Sequence, residues 1–360
     1  MSLSNSVTAS VTGTAIGSAL AAISANQWTT VTYNNTVTTN ANNGTLAGYF
    51  DYGQKAIFDA PRNRVVYYGG MDSSASAPCN AIFVYDLVAN TWATYGVNDG
   101  TFSPGSKWHG HFTMDVNRDN GDIWITGPDT NSSFWILRAA NQTGTWQTWD
   151  NTVSKAGNGM TGGSGGADGL SWHPYLHAFI FFNNKGIWRV NPSTGAFTAY
   201  TTGSLMDYYH QFGGWNLQDN SLYIGSTNSG NGNAFGNPAI WRLGPGGVLS
   251  NPTSPTIPGV SPTLCGGQNG TFSAMVGSGI APNKLLAIGT SGVIQEYDAV
   301  ANSWSTVTTS VPGQVTTDLA HTPQNWAICN MPEYGCLFFF SVQAGTTNLP
   351  LRTSGYLWKR

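Results

Sequence analysis

Apolar residues in this chain come in short runs of five to seven, built from Val, Ile, Leu, Phe, Tyr and Trp and bounded by Gly, Asn, Pro and Ser. Residues 64–70, 122–127, 178–182, 221–225, 284–289 and 336–342 are the clearest. β-Branched and aromatic runs of this length between turn formers predict strands, and no long stretch carries the periodicity of a helix. Each run has a second strand downstream, at residues 83–86, 133–138, 186–190, 238–243, 295–298 and 355–360. Stretches of small residues precede several of them, at 110–116, 169–173 and 212–217. Those would be innermost strands, where sheets converge and bulk does not fit.

Within this pattern one phrase occurs twice. Tyr85-Asp86-Leu87-Val88-Ala89-Asn90-Thr91-Trp92 returns as Tyr297-Asp298-Ala299-Val300-Ala301-Asn302-Ser303-Trp304. Each copy reads as a strand ending in Tyr-Asp, a turn built around Asn, and a strand that opens on Trp. Looser versions run from 135 to 146, from 188 to 197 and from 241 to 249. The head of the last strand therefore falls at 92, 146, 197, roughly 249 and 304, in steps of 54, 51, 52 and 55 residues. A period near 50 is that of a kelch-type blade. Residues 355–360 predict a third strand without a fourth, and residues 26–31, with Trp28, a fourth strand without a blade. The N-terminal strand is thus expected to complete the last blade and close the ring. Closure removes a sheet edge that would otherwise invite aggregation.

Gly69-Gly70 followed by Tyr85-Asp86 and Trp92 resembles the kelch repeat, and Tyr297, Asp298 and Trp304 resemble its second half. The chain is similar to kelch-like β-propellers of the galactose oxidase central-domain type. The resemblance implies an all-β fold, a six-bladed kelch-like propeller over 26–360 preceded by an N-terminal arm over 1–25. Blades are expected at about 45–97, 105–152, 165–203, 208–252, 270–310 and 320–360, the last completed by 26–33. Propellers host enzymes, lectins, scaffolds and receptors alike, so function has to be read from sites and loops.

Charged residues are 9% of the chain and the formal net charge is −3, which leaves no electrostatic case for nucleic-acid binding. Thr, Asn, Ser and Gly take their place, which suits a surface that packs against other protein. The 14 Trp, 15 Tyr and 16 Phe argue for a large ordered core over disorder. Residues 1–25 contain no Lys or Arg and no compact apolar stretch, so a secretory signal is not expected, nor is membrane insertion. Cys329 and Cys336 flank an expected hairpin and are either buried free thiols or a bridged pair; Cys79 and Cys265 fall in loops without metal spacing.

Nine residues precede the expected innermost strands: Trp108, His109 and His111 in the second blade, Asp168 in the third, Asp207, Tyr208 and His210 in the fourth, Asp318 and His321 in the sixth. In a closed ring they converge on one mouth of the channel as candidate binding residues. Histidines and carboxylates there could build a metal or general-base cluster, or they could hydrogen-bond loops and cap strand ends. No tight ligand spacing is present, so no catalytic residue, metal or cofactor is assigned. The copper-oxidase site of galactose oxidase relatives joins tyrosines, one cross-linked to a cysteine, with two histidines; Cys79 and Cys265 do not stand beside a Tyr in an inner strand. Sialidase-like propellers carry Ser-x-Asp-x-Gly-x-x-Trp boxes, which this chain lacks. Trp108, Trp172, Trp215 and Trp326 either stack on sugars or pack between blades.

Two functional expectations follow. The first is a non-enzymatic assembly or binding propeller, a bacteriophage virion component resembling in architecture the propellers of tail nozzles, hubs, fibres or capsid knobs. Its partners would be other virion or scaffold proteins, a second copy through the 1–25 arm, or a host-surface glycan. The second is a carbohydrate-binding or carbohydrate-active propeller, extracellular or carried on the virion.

Overall fold

The computed structural model describes residues 13–37, 55–67, 81–96, 114–128, 134–139, 146–149, 169–183, 186–203, 211–226, 239–250, 274–277, 281–288, 292–307, 310–319, 326–343 and 351–360. They are mostly β and form a propeller-type series of antiparallel meanders. A short helix α1 (Ala15–Ala21) precedes strand β1 (Trp28–Thr32). The first meander is β2 (Lys55–Asp59), β3 (Arg64–Tyr67), β4 (Ala81–Asp86) and β5 (Thr91–Gly96); the second is β6 (Met114–Val116), β7 (Ile123–Pro128), β8 (Phe134–Ala139) and β9 (Trp146–Trp149). The third is β10 (Gly169–His173), β11 (Ala178–Asn183), β12 (Gly186–Val190) and β13 (Phe197–Thr202). The fourth holds β14 (Gln211–Asn216), β15 (Ser221–Ser226) and β16 (Ala239–Leu243), and the fifth holds β17 (Ala274–Gly277), β18 (Lys284–Ile288), β19 (Ile294–Asp298) and β20 (Ser303–Thr306). After helix α2 (Gly313–Leu319), the sixth comprises β21 (Trp326–Met331), β22 (Cys336–Ser341) and β23 (Ser354–Lys359).

The N-terminal strand pairs where the sequence places it. β1 runs antiparallel to β23 in the register Trp28↔Trp358 to Thr32↔Ser354, so the sixth meander gains its fourth strand from the other end of the chain. Among the described residues the fourth strand expected near 249 is represented by a single bridge, Leu243↔Leu249; Val248 beside it is 74% exposed, while Leu249 packs against the cluster that holds Ile224 and Leu243.

The repeated phrase encodes a hairpin whose every residue has a task. In the first copy Asp86 Oδ1 accepts from the backbone N–H of Val88 and Ala89, both at 2.9 Å; in the second Asp298 Oδ1 accepts from Val300 at 2.9 Å and Ala301 at 2.8 Å. Asn90 and Asn302 turn the chain in the left-handed region, φ 56° and 49°, which Asn tolerates better than most residues. Their side-chain oxygens accept from the hydroxyls of Tyr85 and Tyr297. Trp92 and Trp304 lie directly across the ladder from those tyrosines, rings 5.1 and 4.9 Å apart.

α1 arises where residues 1–25 were expected to be an arm. Thr14 caps it by accepting from Gly17 N at 3.0 Å, and Ile16 and Leu20, four residues apart, bury in the same core cluster as Val31, Tyr33, Tyr85 and Phe338. Lys359 Nζ donates to the carbonyls of Leu20 and Ile23 at 2.9 and 2.8 Å, closing the helix end with a cation. Residues 13–25 are therefore part of the packed body.

Candidate functional site

The first strands of the meanders meet in chain order: β2 touches β6, β6 touches β10, β10 touches β14, β14 touches β17, and β17 touches β21. β21 then pairs in parallel with β2 through Lys55↔Ile328 and Ala56↔Cys329. Glycine permits the approach. A Cβ on Gly213, in the fourth meander, would sit 2.1 Å from Ser171 Oγ and 3.0 Å from the Phe182 ring of the third.

Side chains carry each meander to the next. Asp115 Oδ2 accepts from Trp172 N at 2.8 Å, and Trp124 stacks on Phe179 with centroids 4.5 Å apart. Asn216 donates to the carbonyls of Ala281 and Lys284 at 2.9 and 3.0 Å, and Asp219 Oδ2 accepts from Asn283 N at 2.9 Å. Arg360 reaches back to Glu296. Between the third and fourth meanders His173, fully buried, lies 3.3 Å from the Leu243 carbonyl through Nε2, while its Nδ1 accepts from Leu176 N at 3.3 Å. That arrangement uses the neutral Nε2–H tautomer. Burial accordingly lowers the imidazole pKa to about 4, against the smaller opposing pull of the carbonyls it bonds.

Where the first strands converge they leave a central cavity of about 50 Å³, room for one or two waters, lined by Ile57, Asp115, Arg118, Ser171 and Asn330 among others. Arg118 and Glu333, from the turns of the second and sixth meanders, approach to 3.8 Å. Ala56, Phe58, Trp172, Trp215 and Leu222 also line it, so the described centre is closely packed and of mixed polarity.

Of the nine candidate residues, Asp318 alone lies among the described ones; Trp108, His109, His111, Asp168, Asp207, Tyr208, His210 and His321 lie outside them. Asp318 sits on α2, 1% exposed, and its carboxylate is fully engaged. Arg352 donates to both oxygens at 2.9 and 2.7 Å, Ser341 to Oδ2 at 2.7 Å and Gln314 to Oδ1 at 2.9 Å. It ties α2 to the sixth meander and has no lone pair turned toward a ligand. Trp172, Trp215 and Trp326 are 2%, 8% and 0% exposed, so all three serve packing. Cys329 and Cys336 are buried free thiols; the ladder sets them against Phe338 and Met331 rather than against each other, and burial pushes both up in pKa. Cys79 and Cys265 lie outside the described residues.

A larger cavity, about 530 Å³, opens where the turn after β6 meets the turns that flank β11 and β12. Asn117, Asp119, His177, Arg189, Asn191 and Ser193 line it. The sequence did not single these out as a site: Arg189, Asn191 and Ser193 read there as part of a looser copy of the hairpin phrase, and only the meeting of turns from neighbouring meanders creates the cleft. Among the described residues no group of three or more metal-ligating side chains converges, and no helix is long and apolar enough to cross a membrane.

No protein-family model matches the chain, and no curated protein matches it. Among solved structures it is similar to TolB from Acinetobacter baumannii, with TM-score 0.39 and 15% identity over 71% of this chain and 53% of that one. It is also similar to a GH74 enzyme from Niastella koreensis, TM-score 0.47 and 13% identity over 84% and 42%. A protein of unknown function from Bacteroides thetaiotaomicron gives 0.46 and 13% over 92% and 76%. The chain spans about half the length of the first two. Scores at this level leave the description of the fold resting on this chain's own strand pairings.

Proposed function

We propose that the six meanders close into one six-bladed, kelch-like propeller and that the protein is a non-enzymatic binding or assembly component, a bacteriophage virion part. The observation that carries the binding role is the contrast between the two ends of the strands. Connections from first to second and from third to fourth strands are short, as at 60–63, 87–90, 174–177, 217–220, 299–302 and 332–335. The connection 244–273 runs from a third strand to a first; the other long connections, among them 68–80, 97–113, 150–168, 227–238, 307–325 and 342–353, join second to third or fourth to first strands. In an up-and-down ring those leave from one face. A rigid scaffold carrying long Gly-, Asn- and Ser-rich connections on one face is the arrangement of a recognition surface. The packed centre and the engaged carboxylates of Asp115 and Asp318 favour recognition over catalysis.

The virion reading draws on the charge-poor, Thr- and Asn-rich composition. Gradient-banding particles from cells that produce the chain with its neighbouring genes tests it. The protein should band with the particle at fixed stoichiometry; recovery in the soluble fraction alone would remove that reading and leave the propeller intact. Replacing residues 69–79 or 228–237 by short Gly-Ser linkers should abolish attachment without lowering the melting temperature.

A further inference from the structure

The cleft between the second and third meanders lies on the short-turn side and takes no part in the recognition face. We propose that it binds a carboxylated sugar residue.

The donors around it are held in place and outnumber the acceptors. Asn117 Oδ1 accepts from Asp119 N at 2.9 Å, and Asn191 Oδ1 accepts from Ser193 N at 2.8 Å and Thr194 N at 3.2 Å. With both carboxamide oxygens engaged by their own turns, each amide presents its N–H₂ as donor. Arg189 Nη2 donates to the Leu176 carbonyl at 2.9 Å, which steadies the guanidinium and leaves its other N–H groups for a ligand. His177, at φ 45°, is fixed by a 2.7 Å contact between Nδ1 and Asp119 Oδ2 and keeps Nε2 for the cleft.

One guanidinium suits one carboxylate, which it grips through two parallel N–H groups. Two amides, a serine hydroxyl and an imidazole suit the ring hydroxyls around it. Asp119, whose Oδ2 is turned to His177, repels a phosphate dianion about twice as strongly as a carboxylate, which favours the singly charged group. An extended acidic peptide would need a free strand edge, and the cleft is built from turns. A volume of about 530 Å³ holds one or two sugar rings.

The test titrates the full chain with glucuronic acid and with N-acetylneuraminic acid, using glucose and acetate as controls, read by saturation-transfer NMR. At least one acid should bind in preference to glucose and acetate. Arg189→Gln and Asn191→Asp, which keeps the oxygen that holds its turn, should each weaken binding by about tenfold or more. Ser303→Ala, in the fifth meander, should leave it unchanged. Acetate binding as well as the sugar acids, both cleft variants binding like the parent, or no binding at millimolar concentration would each overturn the proposal. None of these outcomes bears on whether the chain belongs to a particle.

Discussion

In the hairpin of residues 85–92 the tryptophan is 3% exposed, whereas its counterpart in the hairpin of residues 297–304 is only partly buried, although the two phrases share Tyr, Asp, Val, Ala, Asn and Trp at matching positions. The hairpins have the same internal bonds. Their surroundings differ among the described residues, where Tyr33–Asn35 lie over the first copy. Asn34 N donates to the Asn90 carbonyl and Asn34 Nδ2 to that of Ala89, each at 2.8 Å. Asn35 makes a two-way pair with the Trp92 backbone, Nδ2 to O at 2.8 Å and Oδ1 from N at 2.7 Å, like one more residue of strand. Tyr33 packs edge-on to Tyr85 and Trp92 at 5.2 and 5.7 Å, and burial pushes the phenols of both tyrosines up. A single segment thus completes the last meander through β1 and clasps the first through Tyr33–Asn35. The lesson is that one local phrase sets a hairpin's shape, while its contribution to stability depends on what lies over it.

The largest expected effect comes from removing the two tryptophans. Trp92→Ala should lower unfolding stability by about 3–5 kcal/mol, because it empties a buried site shared with Tyr33, Tyr85 and Phe340. Trp304→Ala should cost about half as much, since less of its surface leaves water on folding. Equal losses in chemical denaturation would show that the clasp adds nothing.

Acidification sets the hairpins against the scaffold beneath them. His173 has a folded pKa near 4 against 6.5 unfolded, so its contribution is complete above 6.5 and lost as pH falls toward 4. Stability should drop by about 2 kcal/mol between pH 7 and pH 5 through this residue, and His173→Gln should flatten that part of the profile. An unchanged slope would show that the imidazole is not held neutral. Neither hairpin contains a histidine, so variants there should shift the curve without changing its shape.

Asn35→Ala removes both bonds to Trp92 and should cost about 1–2 kcal/mol. The smallest effect is expected at the turns. Asn302→Gly keeps the left-handed conformation and removes the 2.8 Å bond from Tyr297, for about 1 kcal/mol. Asn90→Gly removes the Tyr85 bond together with the donations to the Thr32 carbonyl at 2.8 Å and to Asn34 Oδ1 at 3.3 Å, for about 1–2 kcal/mol. A larger loss at Asn302 than at Asn90 would invert the comparison.

Most strands were legible because their alternation and their Tyr and Trp anchors are local signals. Residues 178–182 were expected and β11 forms at Ala178–Asn183; residues 336–342 were expected and β22 forms at Cys336–Ser341. The two helices among the described residues were not, since α1 and α2 are seven residues each, too short for a periodic face to stand out, and exist through packing. Asp318 shows why the candidate site was harder to read. An Asp before an inner strand looks the same in sequence whether it faces a channel or, as here, an arginine 34 residues away.

Sequence alone determined the meander pattern, the period and the hairpin chemistry, because turn conformations and strand alternation depend on residues within a few positions of one another. It also marked the unpaired strand at Trp28 and the vacancy beside Trp358. Tertiary structure decided that Tyr33–Asn35 clasp one copy of the phrase and not the other, that Asp318 is a structural tie, and that Asn117, His177 and Arg189 share a cleft. Those outcomes depend on which segments meet across tens of residues, and burial and hydrogen bonding are set only once they have met.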